Sequence, residues 1–222
     1  MNDRSIILER LQSANASRSR SPHPGPAAPP TAGNLNGKAR LDRFIAEAEK
    51  QYASIASISR LDDLPAHVAG WLRHQNLPQQ CVIAPIPEGL GWDETKDGAV
   101  EVRSGAARTS DMVGVSLALG AAAETGTVLM VADGATPTSL NFIPDVEIIV
   151  VSKKDIEAGM EGCWQKLREW KKRTGTMPRV ANYITGPSRT ADVEATMVLG
   201  AHGPRRLHLV LVDERAPWPE KR

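Results

Sequence analysis

The sequence has little cysteine, no long apolar run and almost no net charge, and each shortage closes off a class of function. Its two cysteines, Cys81 and Cys163, lie far apart with no Cys-x-x-Cys spacing, so this chain cannot build a zinc site or an iron–sulfur cluster from thiolates. Both sit in apolar surroundings, where a free thiol ordinarily packs as a small hydrophobe. No stretch approaches the ~20 apolar residues of a spanning helix. The Ile6-Ile7-Leu8 run, flanked by Asp3 and Glu9, is too brief for a secretion signal, so a cytoplasmic protein is expected. The formal net charge is +1, and apart from Lys171-Lys172-Arg173 and Arg205-Arg206 the basic residues are dispersed, unlike the cationic stripe of a nucleic-acid binder. The glycines give no dinucleotide fingerprint either. Gly114, Gly120 and Gly126 are six residues apart, whereas Gly-x-Gly-x-x-Gly packs its glycines tightly between a strand and a helix, and an autonomous NAD dehydrogenase is disfavoured.

What is present is a chain of 222 residues, 41% hydrophobic, enough for one sizeable core. Residues 1–37 read as a short amphipathic helix at Arg4–Leu11 and then a linker rich in Ser, Pro and Ala, residues 38–214 as an α/β domain, and residues 215–222 as a tail. Within the domain a helix is expected over 38–52, with Leu41, Phe44, Ile45 and Ala48 on one face. A second follows Asp62-Asp63, which can cap it, with Pro65 in its first turn and Val68, Trp71 and Leu72 inward. Apolar runs at 81–84, 100–103, 112–116, 127–132, 146–151, 180–184 and 207–212 read as strands. Helical spacing is read over 155–173, with Trp164 in the core and Trp170 at a rim, and over 190–199. Strands rich in Val and Ile without polar alternation, interleaved with helices, imply a mostly parallel sheet covered on both faces.

Two places carry the residues that could do chemistry. In Ala121-Ala-Ala-Glu-Thr-Gly-Thr127 a helix-like segment is expected to break at Gly126, leaving Glu124, Thr125 and Gly126 on an edge of the kind where α/β proteins place reactive groups. In Gly186-Pro187-Ser188 a strand is expected to run into a turn that opens a helix. The free N–H groups and positive end of such a helix would let Gly186, Ser188, Arg189 and Thr190 hold a carboxylate or phosphate. Ser188 or Thr190 can equally serve as an ordinary N-cap, and Asp192 and Glu194 in the first turns suit the dipole for structural reasons alone. If those carboxylates point away from the anion, the set fits a mixed ligand such as a nucleotide or hydroxy acid. His202, in a Gly- and Pro-bounded turn, can act as a dipole partner or as an acid–base group. His208 reads as a satisfied core or cross-strand histidine. No metal site is read from these residues, and a Ser188–His202–Asp192 triad lacks the Gly-x-Ser-x-Gly elbow.

AETGT (123–127), GPSRTADVE (186–194) and GAHGPRRLHLVLVD (200–213) occur in the order in which they occur in the lactate-utilization domain family, and the chain resembles that family over roughly residues 38–214, most closely its lactate utilization protein C type. The resemblance implies a three-layer Rossmann-like sheet of the ribose-5-phosphate isomerase and CoA-transferase type. It implies a subunit of a cytoplasmic system that oxidises L-lactate to pyruvate beside iron–sulfur partner subunits. This chain would then bind a small anion, lactate or a nucleotide-like molecule, at an edge formed by Glu124, Thr125, Gly126, Gly186, Pro187, Ser188, Arg189, Thr190, Asp192, Glu194 and His202. Its own cofactor is left open. Two other functions remain in view. One is an acyl- or CoA-transferring, or ATP-dependent ligase-type, enzyme with Glu124 as covalent nucleophile. The other is a lactate-responsive regulatory protein.

Overall fold

Runs of Val, Ile and Leu too apolar to face water on either side decide the architecture. In the computed structural model, which describes residues 3–16, 35–84, 86, 90–93, 98–133, 136–193, 196–200 and 202–215, these runs form a six-stranded parallel sheet. Helix α1 (Asp3–Ala16) belongs to a separate compact unit, residues 1–31, with Ile6, Ile7 and Leu8 exposed. It runs into the stretch expected to be linker, most of which lies outside the described residues.

In the main unit α2 (Gly37–Lys50) leads into β1 (Ser54–Ile58), and α3 (Leu64–His74) into β2 (Gln80–Ala84), followed by β3 (Glu101–Ser104) and β4 (Val113–Leu117). The chain then leaves the sheet for β5 (Gly120–Ala122) and β6 (Thr127–Ala132) and returns as β7 (Val146–Ser152). It passes through β8 (Ile156–Glu157), α4 (Met160–Thr174), β9 (Val180–Ile184), β10 (Arg189–Val193) and β11 (Thr196–Leu199) to β12 (Arg206–Val212). The main sheet has the order β1-β12-β7-β4-β2-β3, and a smaller mixed sheet the order β8-β5-β6-β9. No helix among the described residues is long and apolar enough to cross a membrane.

All seven residues of β7 are buried, as a central strand covered on both faces requires. On one face Val115, Ile148 and Val210 pack against Leu64, Val68 and Leu72 of α3. On the other, Ile149, Leu209 and Leu211 meet Phe44 and Ala48 of α2 and Val128 and Met130 of the small sheet. The outer face of that sheet is closed by Cys163, Leu167 and Trp170 of α4.

Four sequence expectations are corrected. In place of the helix expected over 190–199, the described residues 190–193 and 196–199 are strands: β10 and β11 pair antiparallel, Arg189 with Leu199 and Thr190 with Val198, because β-branched Val193, Thr196 and Val198 favour an extended chain. Residues 121–123 are not helix-like, since pairing with β6 and β8 overrides the helix preference of alanine. The long helix starts at Met160 rather than at Asp155, which exchanges the two tryptophans: Trp170 is 4% exposed and Trp164 47%. Asp63 does not cap α3; its carboxylate accepts the Arg60 N–H and closes a short 3-10 turn.

Candidate functional site

The carboxyl end of α2 is the point around which the loops gather. Gln51 ends the helix, the N–H of Tyr52 bonds to the Glu49 carbonyl and that of Ala53 to the Ala48 carbonyl, the paired closure of a Schellman motif. The left-handed position in that motif, normally glycine, is held by Tyr52 with φ 66°. Two turns press bare backbone onto the same helix end. Gly126 (φ 66°) meets Glu47 and Ala48, and Gly186 (φ 79°) meets Gln51; a Cβ at either glycine would collide with that backbone. The turns also touch each other, Thr127 Oγ1 lying 2.6 Å from Thr185 Oγ1 and 2.7 Å from Thr125 Oγ1.

From Gly186 the chain runs over a cavity of about 460 Å³, a size suited to a small molecule. Pro187 and Arg189 line it, with Arg205, Arg206 and Leu207 from the start of β12. Tyr52 and Ser54 line it as well, as do Trp71 and Gln75 at the end of α3. The Arg189 guanidinium sits 3.7 Å from the centre of the Tyr52 ring, a cation–π contact on a residue that is itself 67% exposed. Among the described residues neither Arg189 nor Arg206 has a carboxylate partner, and Arg205 has only a loose exposed pair with Asp145 at 3.6 Å. Three guanidinium groups, a hydroxyl and an indole wall therefore face one space with little internal neutralisation. That is the chemistry of a site for a small organic anion, which arginine grips through paired hydrogen bonds.

Behind this wall Ser54 Oγ lies 2.8 Å from His208 Nδ1, and His208 Nε2 lies 2.9 Å from His67 Nε2. Burial, then the neighbouring His67, hold His208 far below the ordinary imidazole range, at about 3, with Ser54 opposing; burial also lowers His67. His208 is thus the cross-strand histidine read from the sequence, directly paired with Ser54 in the β1–β12 register.

The residues predicted from sequence are found in several different places. Pro187 and Arg189 line the cavity, while Gly126, Thr125 and Gly186 shape its support. Ser188 and His202 are brought together, but through the chain. Ser188 Oγ accepts the His202 backbone N–H at 3.1 Å and the Ser188 N–H bonds to the Pro204 carbonyl, leaving the imidazole exposed. Because residues 189–193 form a strand, no helix N-terminus opens at Ser188, and the helix end that Gly186 touches is the carboxyl end of α2. Glu124 faces elsewhere, its Oε1 accepting the backbone N–H of Met160 at 2.8 Å at the start of α4. Thr190 and Asp192 lie on β10 with side chains outside the described residues, as does the whole of Glu194. Sequence reasoning missed Tyr52, Ser54, Trp71 and Gln75, which no local motif connects, and Arg205 and Arg206, although these two lie within the run at 200–213 that carries the resemblance.

A second cavity, about 330 Å³, opens at the carboxyl ends of β4, β7 and β12. There the Lys166 ammonium is already neutralised by Asp155 at 2.8 Å and Glu157 at 3.3 Å. The arginine cavity lies at the amino ends of β1 and β12, opposite the edge that open parallel sheets usually use.

Comparison with known proteins places the chain in a family. A lactate utilization protein C of Macrococcus caseolyticus is 33% identical over 124 residues, 56% of this chain and 52% of the relative. One of Bacillus subtilis is 34% identical over 103 residues, 46% of this chain and 43% of the relative. The chain thus spans about half the length of the curated relatives it matches. A crystal structure of a DUF162 family protein from Deinococcus radiodurans superposes with a TM-score of 0.53 at 22% identity, covering 78% of this chain and 96% of that one, and shares the fold. The family described as the LUD domain matches residues 91–212, more than half of the sequence, and the protein belongs to that family.

Proposed function

We propose that the protein is a cytoplasmic subunit of an L-lactate utilization system, in which it binds lactate or its oxidation product pyruvate and works beside iron–sulfur partner subunits. The observation that carries this reading is the meeting of Arg189, Arg205 and Arg206 with Ser54 in one cavity sized for a small molecule. A 2-hydroxy acid offers what such a cavity recognises: a carboxylate for guanidinium, a hydroxyl for Ser54 and a short apolar body for Trp71 and Leu207. The names of the sequence relatives support the system in which that acid is consumed. With its two cysteines apart and buried, any electrons from lactate would have to leave through another chain.

The test is direct binding by the full chain of L-lactate, pyruvate, acetate and a nucleoside phosphate, with and without Arg189→Ala. Saturable binding of the hydroxy or keto acid, weakened about tenfold or more by the substitution, is expected from loss of a charge-assisted pair. Preference for the nucleotide would replace the substrate assignment. Copurification from lactate-grown cells without any iron–sulfur protein would remove the partner assignment.

A further inference from the structure

The imidazole pair behind the cavity has no part in anion binding as described, yet it is wired to it. Ser54 and Trp71 both line the cavity and both touch His208: Ser54 by its 2.8 Å hydrogen bond, Trp71 by stacking with ring centroids 4.4 Å apart. His208, 2% exposed, is therefore one side chain away from any ligand. On its other side His67 reaches partly to solvent.

Two neutral imidazoles facing through Nε2 atoms share a single proton, since each ring has one N–H and one lone pair. Two arrangements satisfy the chain of contacts. In the first, Ser54 donates to His208 Nδ1, and His208 donates from Nε2 to His67. In the second, the Ser54 hydroxyl turns toward the Leu207 carbonyl, 3.4 Å away, and accepts from His208 Nδ1–H, while His67 donates from Nε2. Passing from the first to the second moves a proton from Ser54 to His208 and another from His208 to His67. Ser54 is refilled from the cavity, and His67 releases its Nδ1 proton outward. In the reverse passage His67 takes a proton at Nδ1 and passes its Nε2 proton to His208, which holds both ring protons, and so one positive charge, as long as Ser54 gives none up to the cavity.

We propose that Ser54, His208 and His67 form a proton relay serving the arginine cavity, so that an anion is taken up there together with a proton carried by the imidazole pair. The inference rests on the anion-binding reading above. The groups that face His208 are His67 and Trp71 from α3, Ser54 from β1, and Arg205 and Arg206 at the head of its own strand, with Arg189 across the cavity. Glu147 on β7 pairs with Leu207, and its side chain takes the opposite face of the sheet. Burial disfavours a charge on either ring, holding His208 at about 3 and His67 below the ordinary imidazole range. An anion among the guanidinium groups offsets their field and supplies the charge that makes a protonated pair tolerable.

The test is calorimetric titration of the full chain with L-lactate and, separately, inorganic phosphate, in buffers of different ionisation enthalpy and at several pH values. The expected result is proton uptake on binding, with affinity rising as pH falls by up to about tenfold per pH unit. In His67→Gln the uptake and the pH dependence disappear. Binding without proton exchange in the wild type, or uptake undiminished in His67→Gln, overturns the relay and leaves the cavity's anion specificity standing. Failure of both probes to bind overturns both readings. If His67→Gln does not fold, ring ¹⁵N shifts of the wild type decide: two rings that stay in unchanged neutral tautomers with probe bound overturn the relay.

Discussion

The carboxylate of Glu124 accepts the backbone N–H of Met160 at 2.8 Å, which makes a residue in one loop the cap of a helix 36 positions later. A free N–H at the start of a helix is costly to leave unpaired, and this one is partly buried. Glu124→Ala is expected to lower stability by about 1 kcal/mol, read as a shift in the urea midpoint at constant slope. Stability equal to the wild type would show that the cap contributes nothing. An acyl-CoA adduct sensitive to hydroxylamine and lost in Glu124→Gln would instead return Glu124 to the role of nucleophile.

Tyr52 holds a left-handed backbone at a helix end where glycine is the usual choice, and its ring carries Arg189. Strain of roughly 1 kcal/mol is retained there beside the cavity, while an exposed cation–π contact contributes about 0.5–1 kcal/mol in return. Tyr52→Gly should leave thermal stability within about 1 kcal/mol of the wild type and weaken anion binding, because Arg189 loses its rest. Equal affinity in calorimetry would show that the ring does not position the guanidinium.

Glu147 is fully buried, with one oxygen taking a 3.2 Å hydrogen bond from Ser116 and the other without a partner among the described residues. Burial pushes its carboxyl up to about 8 from an ordinary 4.5, against the opposing effect of Ser116. Between those values the folded protein keeps a proton that the unfolded chain releases, so this group makes stability fall as pH rises from 4.5 to 8 and level off above. His208 acts in the other direction: held at about 3 instead of 6.5, it makes stability fall as pH drops through that window. Urea denaturation across pH 5–9 should show the alkaline decline in the wild type. In Glu147→Gln that decline should be gone, with a gain on the order of a few kcal/mol at pH 8. An unchanged alkaline branch would contradict the assignment.

Cys81 and Cys163 are free and buried, and burial pushes both thiols up to about 12, with Glu157 adding to the effect at Cys163. Thiolate is the reactive form, so neither should be alkylated by iodoacetamide in the native protein, and both should be in denaturant, as mass spectrometry can count. Labelling of the native chain would show that one of the two sites opens.

The strands of the main sheet were legible because a buried parallel strand needs an unbroken apolar run, and Val146–Val151 or Leu207–Val212 can be little else. The hairpin at 189–199 was not. Over so short a segment, Val193, Met197 and Val198 satisfy helical spacing as well as they satisfy an extended chain, and pairing decides. The face of α4 was misjudged for a related reason: once the helix begins at Met160, Cys163, Leu167 and Trp170 fall on one stripe and Trp164 on another. Among the candidate ligand residues whose side chains are described, only Pro187 and Arg189 reach the cavity; its wall of Ser54 and Arg206 is assembled by the pairing of β1 with β12, a contact between chain segments some 150 residues apart. Periodicity reads local order and is blind to such closures.

Because Gly126 and Gly186 both lean on the final turn of α2, that helix works as a gauge block for the whole edge. Adding one residue within it would advance its end by about 1.5 Å and swing it by about 100°. The threonine turn, the Gly-Pro-Ser loop and the seats of Tyr52 and Ser54 would then all lose alignment at once. Length between Gly37 and Lys50 is thus a property this lineage can alter only by rebuilding two distant loops and the segment that follows the helix in concert.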